Sequence, residues 1–360
     1  MSETPGITIG DRRIGPGAPC YLVAELSGNH GGDLGRALAL VEAAAASGAD
    51  AIKLQTYTAD TITLDSDRPP FRIGGGTLWD GRLLHDLYRE AQTPWNWQPR
   101  LKEAAEDLGL ACFSSPFDAT AIDFLEAMEV PAYKIASFEL IDLPLIERVA
   151  STGKPLILST GMATESEIEE AMTAARAAGA GGVVLLQCTS AYPAPVEEAN
   201  LRSIPLLAER FGVAAGLSDH TLGIAVPVAA VALGACLIEK HLTLSRDEPG
   251  PDSAFSLEPR EFAAMVEAVQ TAERALGAAR LAPTAHEDRS KIFRRSLFVV
   301  ADVRRGERFT ERNVRSIRPG HGLPPKHLRS VMGRHAARDI ERGTPLAWNL
   351  IAPEGDPGAG

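Results

Sequence analysis

Two histidines occupy matching places in this chain. His220 closes the string GLSDH and His241 closes LIEKH, each just after a short apolar run. If the two runs are neighbouring strands, the imidazoles stand at one height and can share a divalent ion. No cysteine pair lies beside them to suggest structural zinc. A harder ion such as Mn²⁺ (or Mg²⁺ or Co²⁺), completed by water and substrate oxygens, fits better. The competing reading is a helix-capping histidine and a packed core histidine.

Other polar residues recur at the same position, the end of an apolar run: Glu25, Lys53 with Gln55, Ser114 with Ser115, Lys134 with Ser137, Ser159 with Thr160, Cys188 with Thr189, and Ser218. Any one of them alone is a solvated strand end or a cap. Converging on one rim, two lysines, an amide and a row of hydroxyls make a cradle for phosphate and carboxylate oxygens.

The elements that must hold this rim can be read from the pattern. CYLVAEL, ADAIKLQT, LACFSS, PAYKIAS, KPLILST, VVLLQCT, VAAGLSD and CLIEKH are eight near-continuous apolar runs. Between them lie stretches such as LGRALALVEAAAASG, whose apolar spacing near 3.6 and closing glycine predict amphipathic helices. Strands of that kind alternating with helices predict a parallel sheet buried on both faces. Eight units in about 280 residues fit a closed (β/α)₈ TIM barrel, whose active sites sit at the strands' C-terminal ends. An open doubly wound sheet is the alternative, but no GxGxxG follows the first strand.

Composition agrees with that size. The chain has 360 residues, 45% of them apolar, and no unbroken apolar run of eighteen, so it can bury a full core without a membrane span. MSETPGITIG lacks a basic and apolar leader, which predicts a cytoplasmic protein. Cys20, Cys112, Cys188 and Cys236 each lie in an apolar run, as reduced core thiols do. The net charge of −11 is split: residues 285–350 carry 15 Lys and Arg against 7 Asp and Glu. Without interleaved aromatics this basic segment is not a nucleic-acid surface; a face toward an acidic domain or an anionic substrate fits better. Within it, ADVRRGERFTERNV and RDIERGTPLAWNLI share D-[VI]-x-R-G, which predicts a small domain with internal pseudo-symmetry. The expected organisation is a barrel over 1–281, a polar linker over 282–290 (APTAHEDRS) and a small domain over 291–353.

The strings AELSGNH, DAIKLQTYTADTITL, SSPFD, PAYKIAS, LSTGM, CTSAYPAP, GLSDHTLG, EKHLTL and GPDSAFSLEP resemble the sialic acid synthase family. GTLWDGRLLHDLYREAQTPWNW and SAFSLEP point to its pseudaminic branch. The resemblance implies a barrel followed by an antifreeze-like (SAF) domain, without implying ice binding. It implies condensation of phosphoenolpyruvate with an acetamido sugar, a 2,4-diacetamido-2,4,6-trideoxy hexose in that branch, to a nine-carbon sugar acid and phosphate. N-acetylneuraminic or legionaminic acid synthesis is the alternative. It further implies that His220 and His241 hold the metal, and that Lys53, Gln55, Ser115, Lys134, Ser137, Ser159, Ser190, Tyr192 and Ser218 surround phosphoenolpyruvate. Glu25 acts on the sugar, with Glu139, Asp252 and Arg318 facing it, and a domain-swapped homodimer supplies the cap. Outside this family remain another metal-dependent barrel lyase or isomerase, and a non-catalytic sugar-acid binding protein.

Overall fold

The computed structural model describes residues 6–248 and 250–353; the first five residues of MSETPGITIG lie outside them. Two compact units divide the chain, Met1–Gly277 and Ala278–Gly360. Among the described residues no helix is long and apolar enough to cross a membrane.

In the first unit a short antiparallel hairpin, β1 (Ile7–Ile9) and β2 (Arg12–Ile14), precedes eight parallel strands. These are β3 (Tyr21–Glu25), β4 (Ala51–Thr56), β5 (Ala111–Pro116), β6 (Tyr133–Ile135), β7 (Leu156–Ser159), β8 (Val183–Cys188), β9 (Ala214–Asp219) and β10 (Leu237–His241). They close into a barrel in sequence order, with β10 pairing back onto β3. Each coincides with one of the eight apolar runs.

Side chains alternate along a strand, so each strand has one series facing the barrel interior and one facing the helices. Outward residues such as Leu22, Ile52, Tyr133, Leu158, Leu185, Leu217 and Ile238 pack in the core shared with the helices. Inward residues at the strand starts, among them Tyr21, Ala51, Phe113, Ile157, Val184, Ala214 and Leu237, form a second apolar cluster. Ile7, Ile9 and Ile14 of the hairpin join that cluster, so the hairpin plugs the end where the strands begin. Two or four residues further on, the same inward series reaches Glu25, Lys53, Ser115, Lys134, Ser159, Cys188, Ser218, Glu239 and His241. The interior thus changes from apolar to polar along the barrel axis.

The second unit pairs β11 (Ser296–Val299) with β12 (Val314–Ile317) around its own apolar cluster. The D-[VI]-x-R-G repeat is a reciprocal contact. Val303 and Ile340 exchange backbone hydrogen bonds at 2.9 and 2.8 Å. Asp302 Oδ1 accepts from Arg342 N at 2.8 Å, and Asp339 Oδ1 accepts from Arg305 N at 2.7 Å. Within the expected linker, Ala285–Ser290 is helical, with Thr284 and Glu287 forming a capping box at its start.

Candidate active site

The polar end of the barrel opens into a cavity of about 470 Å³. Lys53, Gln55, Ser115, Lys134, Ser137, Glu139, Tyr192, His220, His241 and Asp252, all anticipated from sequence, line it, together with Glu239. Glu25, Ser159 and Ser218 are buried beside the lining rather than in it. Ser190 reaches Ser137 across Gly161. A Cβ on Gly161 would come within 2.3 Å of the Ser190 hydroxyl and 2.7 Å of the Ser137 hydroxyl, so only glycine lets the two converge there. Arg318 belongs to the second unit, just past β12.

Strand register explains the arrangement. His241 is paired with Glu25, and Glu25 with Lys53, which sets the three side by side. Lys53 Nζ lies 2.8 Å from Glu25 Oε2 and 2.8 Å from Glu239 Oε1, and Lys134 Nζ lies 3.4 Å from the same Glu239 oxygen. Ser218 Oγ donates to Glu239 Oε1 at 3.2 Å, and Gln55 Nε2 donates to Glu25 Oε1 at 3.3 Å.

The two carboxylates differ in charge preference. Burial pushes Glu25 above the usual carboxylate range, and the charge of Glu239 adds to this against the pull of Lys53. Burial acts on Glu239 too, but Lys134 and Lys53 together hold it down at about 2. Glu239 is therefore the fixed counter-ion, and Glu25 the group able to carry a proton. Burial lowers Lys134 despite Glu239, so this ammonium gains most from an arriving anion. Ser115 Oγ, Ser159 Oγ and the second oxygens of Glu139 and Glu239 are buried without a hydrogen-bond partner among the described residues. The two unsatisfied hydroxyls can donate, and beside two buried lysines they suit an anionic, oxygen-rich ligand.

The histidine rings stand 5.3 Å apart, centroid to centroid. His220 Nδ1 is 3.0 Å from the Thr189 carbonyl, and His241 Nδ1 is 3.3 Å from Ser27 Oγ. With Nδ1 engaged on each ring, Nε2 is left as the electron-pair donor toward the cavity, as in metal-binding histidines. Burial, reinforced by His220 and Lys53, holds His241 well below its ordinary pKa, so it stays neutral and able to ligate. Phe255 packs 4.9 Å from the His241 ring and Tyr192 packs 4.5 Å from the His220 ring. Among the described residues no group of three His, Cys, Asp or Glu forms a metal cage. His220 and His241 would be the protein's donors to a divalent ion, its other positions going to water and substrate.

Several functional residues were not in the sequence-based set. Glu239 lies inside an apolar strand, and only its parity with His241 marks it as inward-facing. Phe255, the brace of both imidazoles, lies in the quoted SAFSLEP string. Ser27 has a left-handed backbone, φ 42°, and its N–H donates to Glu25 Oε1 at 2.7 Å, so local strain accompanies the positioning of Glu25. All four cysteines are free and buried, as expected, but Cys188 also touches the site. Its Sγ is 3.9 Å from His220 Nδ1, and although burial raises the thiol, that contact brings it to about 7. Conversely, Ser114, Thr160 and Thr189 do not converge on the cavity; they bond Thr56, the Leu186 carbonyl and the Glu198 carbonyl.

Glu139 offers a test of this electrostatic picture. Burial raises its carboxyl from 4.5 to about 7. Between those values the unfolded chain has lost the proton and the native one still holds it, so native stability falls as pH rises through that window. Glu139→Gln removes the penalty. The variant is expected to match wild type at pH 4 and to exceed it at pH 8 by roughly 1–3 kcal/mol, discounted for the carboxyl's partial exposure. Denaturant melts at the two pH values check this.

Fold and site together define a (β/α)₈ barrel built to hold an anionic substrate beside two metal-competent histidines. The NeuB family profile matches residues 40–280, and a SAF domain matches residues 294–352. The chain belongs to the NeuB family. It is 46% identical over 335 residues to pseudaminic acid synthase of Helicobacter pylori, spanning 92% of this chain and 98% of that protein. N,N'-diacetyllegionaminic acid synthase of Legionella pneumophila is 34% identical over 343 residues, spanning 94% and 96%. The solved structure of N-acetylneuraminic acid synthetase from Leptospira borgpetersenii aligns with a TM-score of 0.72 at 33% identity, over 81% of this chain and 96% of that chain.

Proposed function

We propose that this chain condenses phosphoenolpyruvate with a 2,4-diacetamido-2,4,6-trideoxy hexose (6-deoxy-AltdiNAc) and water, giving pseudaminic acid and phosphate. The observation that carries the reading is one cavity lined by two buried lysines, the unpartnered Ser115 hydroxyl and two histidines. In this reading Lys53, Lys134 and the serines hold the phosphate and carboxylate of phosphoenolpyruvate. Its carbon three attacks the open-chain aldehyde of the sugar, water adds at carbon two, and the resulting tetrahedral intermediate loses phosphate. His220 and His241 would hold a divalent ion, Mn²⁺ in this proposal, which would supply Lewis-acid stabilisation of charge on the aldehyde oxygen. Glu25 orients the sugar and moves a proton at the aldehyde oxygen, which becomes a hydroxyl, its raised pKa letting it hold that proton where an exposed carboxyl would have lost it. Glu139 and Asp252 face the sugar. The test is phosphate release from phosphoenolpyruvate with Mn²⁺ and a panel of acetamido sugars. The diacetamido trideoxy sugar should be turned over with the highest kcat/KM; fastest turnover of N-acetylmannosamine would move the chain to sialic acid synthesis.

The proposed working unit is a homodimer in the cytoplasm in which Arg318 reaches the partner's barrel. Phe138, Ile141, Met162, Val196 and Leu222 stand exposed on the loops after β6, β7, β8 and β9, an apolar rim around the mouth that a partner can cover. If His241→Ala and Arg318→Ala are each inactive, co-expression should restore about a quarter of wild-type activity. Half of randomly paired dimers are mixed, and each mixed dimer has one site with both residues intact. No recovery with mixed dimers present would place Arg318 in its own subunit's site or in none.

A further inference from the structure

The cavity has walls of opposite character, and they come from different parts of the chain. The strand ends and the loops after β6 and β10 supply its charged groups. The long excursion between β4 and helix Gln98–Asp107, residues 57–97, supplies Ile62, Ile73, Trp79, Leu84, Leu87 and Tyr88. That excursion carries ten Asp, Glu, Lys and Arg residues, and none of them lines the cavity. The sorting is visible within one helix, Leu84–Ala91. Leu84, Leu87 and Tyr88 share the i, i+3, i+4 face toward the cavity, while Asp86 and Arg89 pair with each other at 2.6 Å on the outside.

Trp79 ties this wall to the rest of the mouth. Its Nε1–H donates to the Pro251 carbonyl at 3.0 Å, beside Asp252, and its ring lies 5.7 Å from that of Tyr192. It thereby joins the excursion to the loops that follow β10 and β8. Behind it the turn is braced: Asp80 accepts from Gly76 N and Thr77 N at 2.8 Å each, and Ile73 exchanges backbone bonds with Arg82 and Gly81 at 2.8 Å each.

We infer that this wall, closed by Trp79, selects the sugar by its missing hydroxyls, receiving a deoxy carbon and acetamido methyls; the inference rests on the condensation proposed above. A hydroxyl set against Ile62, Ile73, Leu84 and Leu87 loses water without gaining a partner, whereas a methyl there is removed from water at no polar cost. Apolar pockets discriminate by about 10- to 200-fold for changes of this size. Trp79 is then a specificity residue, and phosphoenolpyruvate, held at the strand ends, does not depend on it.

The experiment compares kcat/KM for the diacetamido trideoxy sugar and for its 6-hydroxy counterpart in wild type, Trp79→Ala and Ile73→Ser, with calorimetric binding of both sugars alongside. Wild type should favour the deoxy sugar at least about tenfold, and either variant should bring the ratio close to one, with the KM for phosphoenolpyruvate within about twofold of wild type. An unchanged ratio in both variants, or parallel losses for both sugars and phosphoenolpyruvate, overturns the wall's role while turnover keeps the condensation. No turnover with either sugar, but a deoxy preference in binding that Trp79→Ala abolishes, overturns the condensation and keeps the wall.

Discussion

His241→Ala should abolish turnover and metal binding and leave the protein folded. The ring ends β10, so few core contacts depend on it; its packing on Phe255 at 4.9 Å and its bond with Ser27 at 3.3 Å are what the fold loses. A loss of that kind costs about 1–2 kcal/mol. The chemical loss is far larger. With two protein nitrogens as the donor set, removing one halves it, and Lewis-acid stabilisation worth several kcal/mol disappears with the ion, a fall in kcat of about a thousandfold or more. Mn²⁺ titration followed by electron paramagnetic resonance, a thermal melt and a phosphate-release assay read the three parts separately. Activity that survives chelation of wild type would remove the metal from the account.

Glu239→Gln should do what His241→Ala does not, and damage the barrel itself. Glu239 Oε1 is shared by Lys53 at 2.8 Å, Lys134 at 3.4 Å and Ser218 at 3.2 Å, all buried. Neutralising it in place keeps the shape but leaves two buried ammonium groups with Glu25 as their remaining carboxylate, a change that costs about 3–5 kcal/mol when such a pair is broken. The pH dependence identifies the source. With its carboxyl held down at about 2 against 4.5 in an unfolded chain, Glu239 contributes stability that is present above pH 4.5 and lost as pH falls toward 2. The variant should be less stable than wild type at pH 7, and the gap should narrow on acidification. Equal melting temperatures at pH 7 would show that the lysines do not rely on this carboxylate.

The barrel was legible because buried parallel strands write themselves as apolar runs, and each run from CYLVAEL to CLIEKH became a strand. Lys53, Lys134, His220 and His241 could be placed on the cavity because ionisable groups recurring late in so many apolar runs converge at one end of a barrel. Parity was harder to read. Ser114 and Ser115 are equivalent as letters, yet one bonds Thr56 at 2.6 Å and the other opens into the cavity, because neighbours in a strand face opposite ways. The same rule hid Glu239, whose neighbour in the strand, Lys240, points outward to a buried bond with Asp219. The apolar wall was invisible for another reason: Leu84, Leu87 and Tyr88 at helical spacing look like residues packed in a core. The hairpin that plugs the barrel, two strands of three residues each, is too short for its alternation to stand out.

The reaction itself is tested most directly by the fate of one oxygen. If water adds at carbon two and phosphate leaves from the tetrahedral intermediate, the bond broken is carbon–oxygen, not phosphorus–oxygen. Phosphoenolpyruvate carrying ¹⁸O in its bridging position, incubated with the enzyme, Mn²⁺ and the diacetamido trideoxy sugar, should deliver that label to the released phosphate, one phosphate for each nine-carbon acid formed. Label retained in the sugar acid, or phosphate released without any nine-carbon acid, would contradict the account.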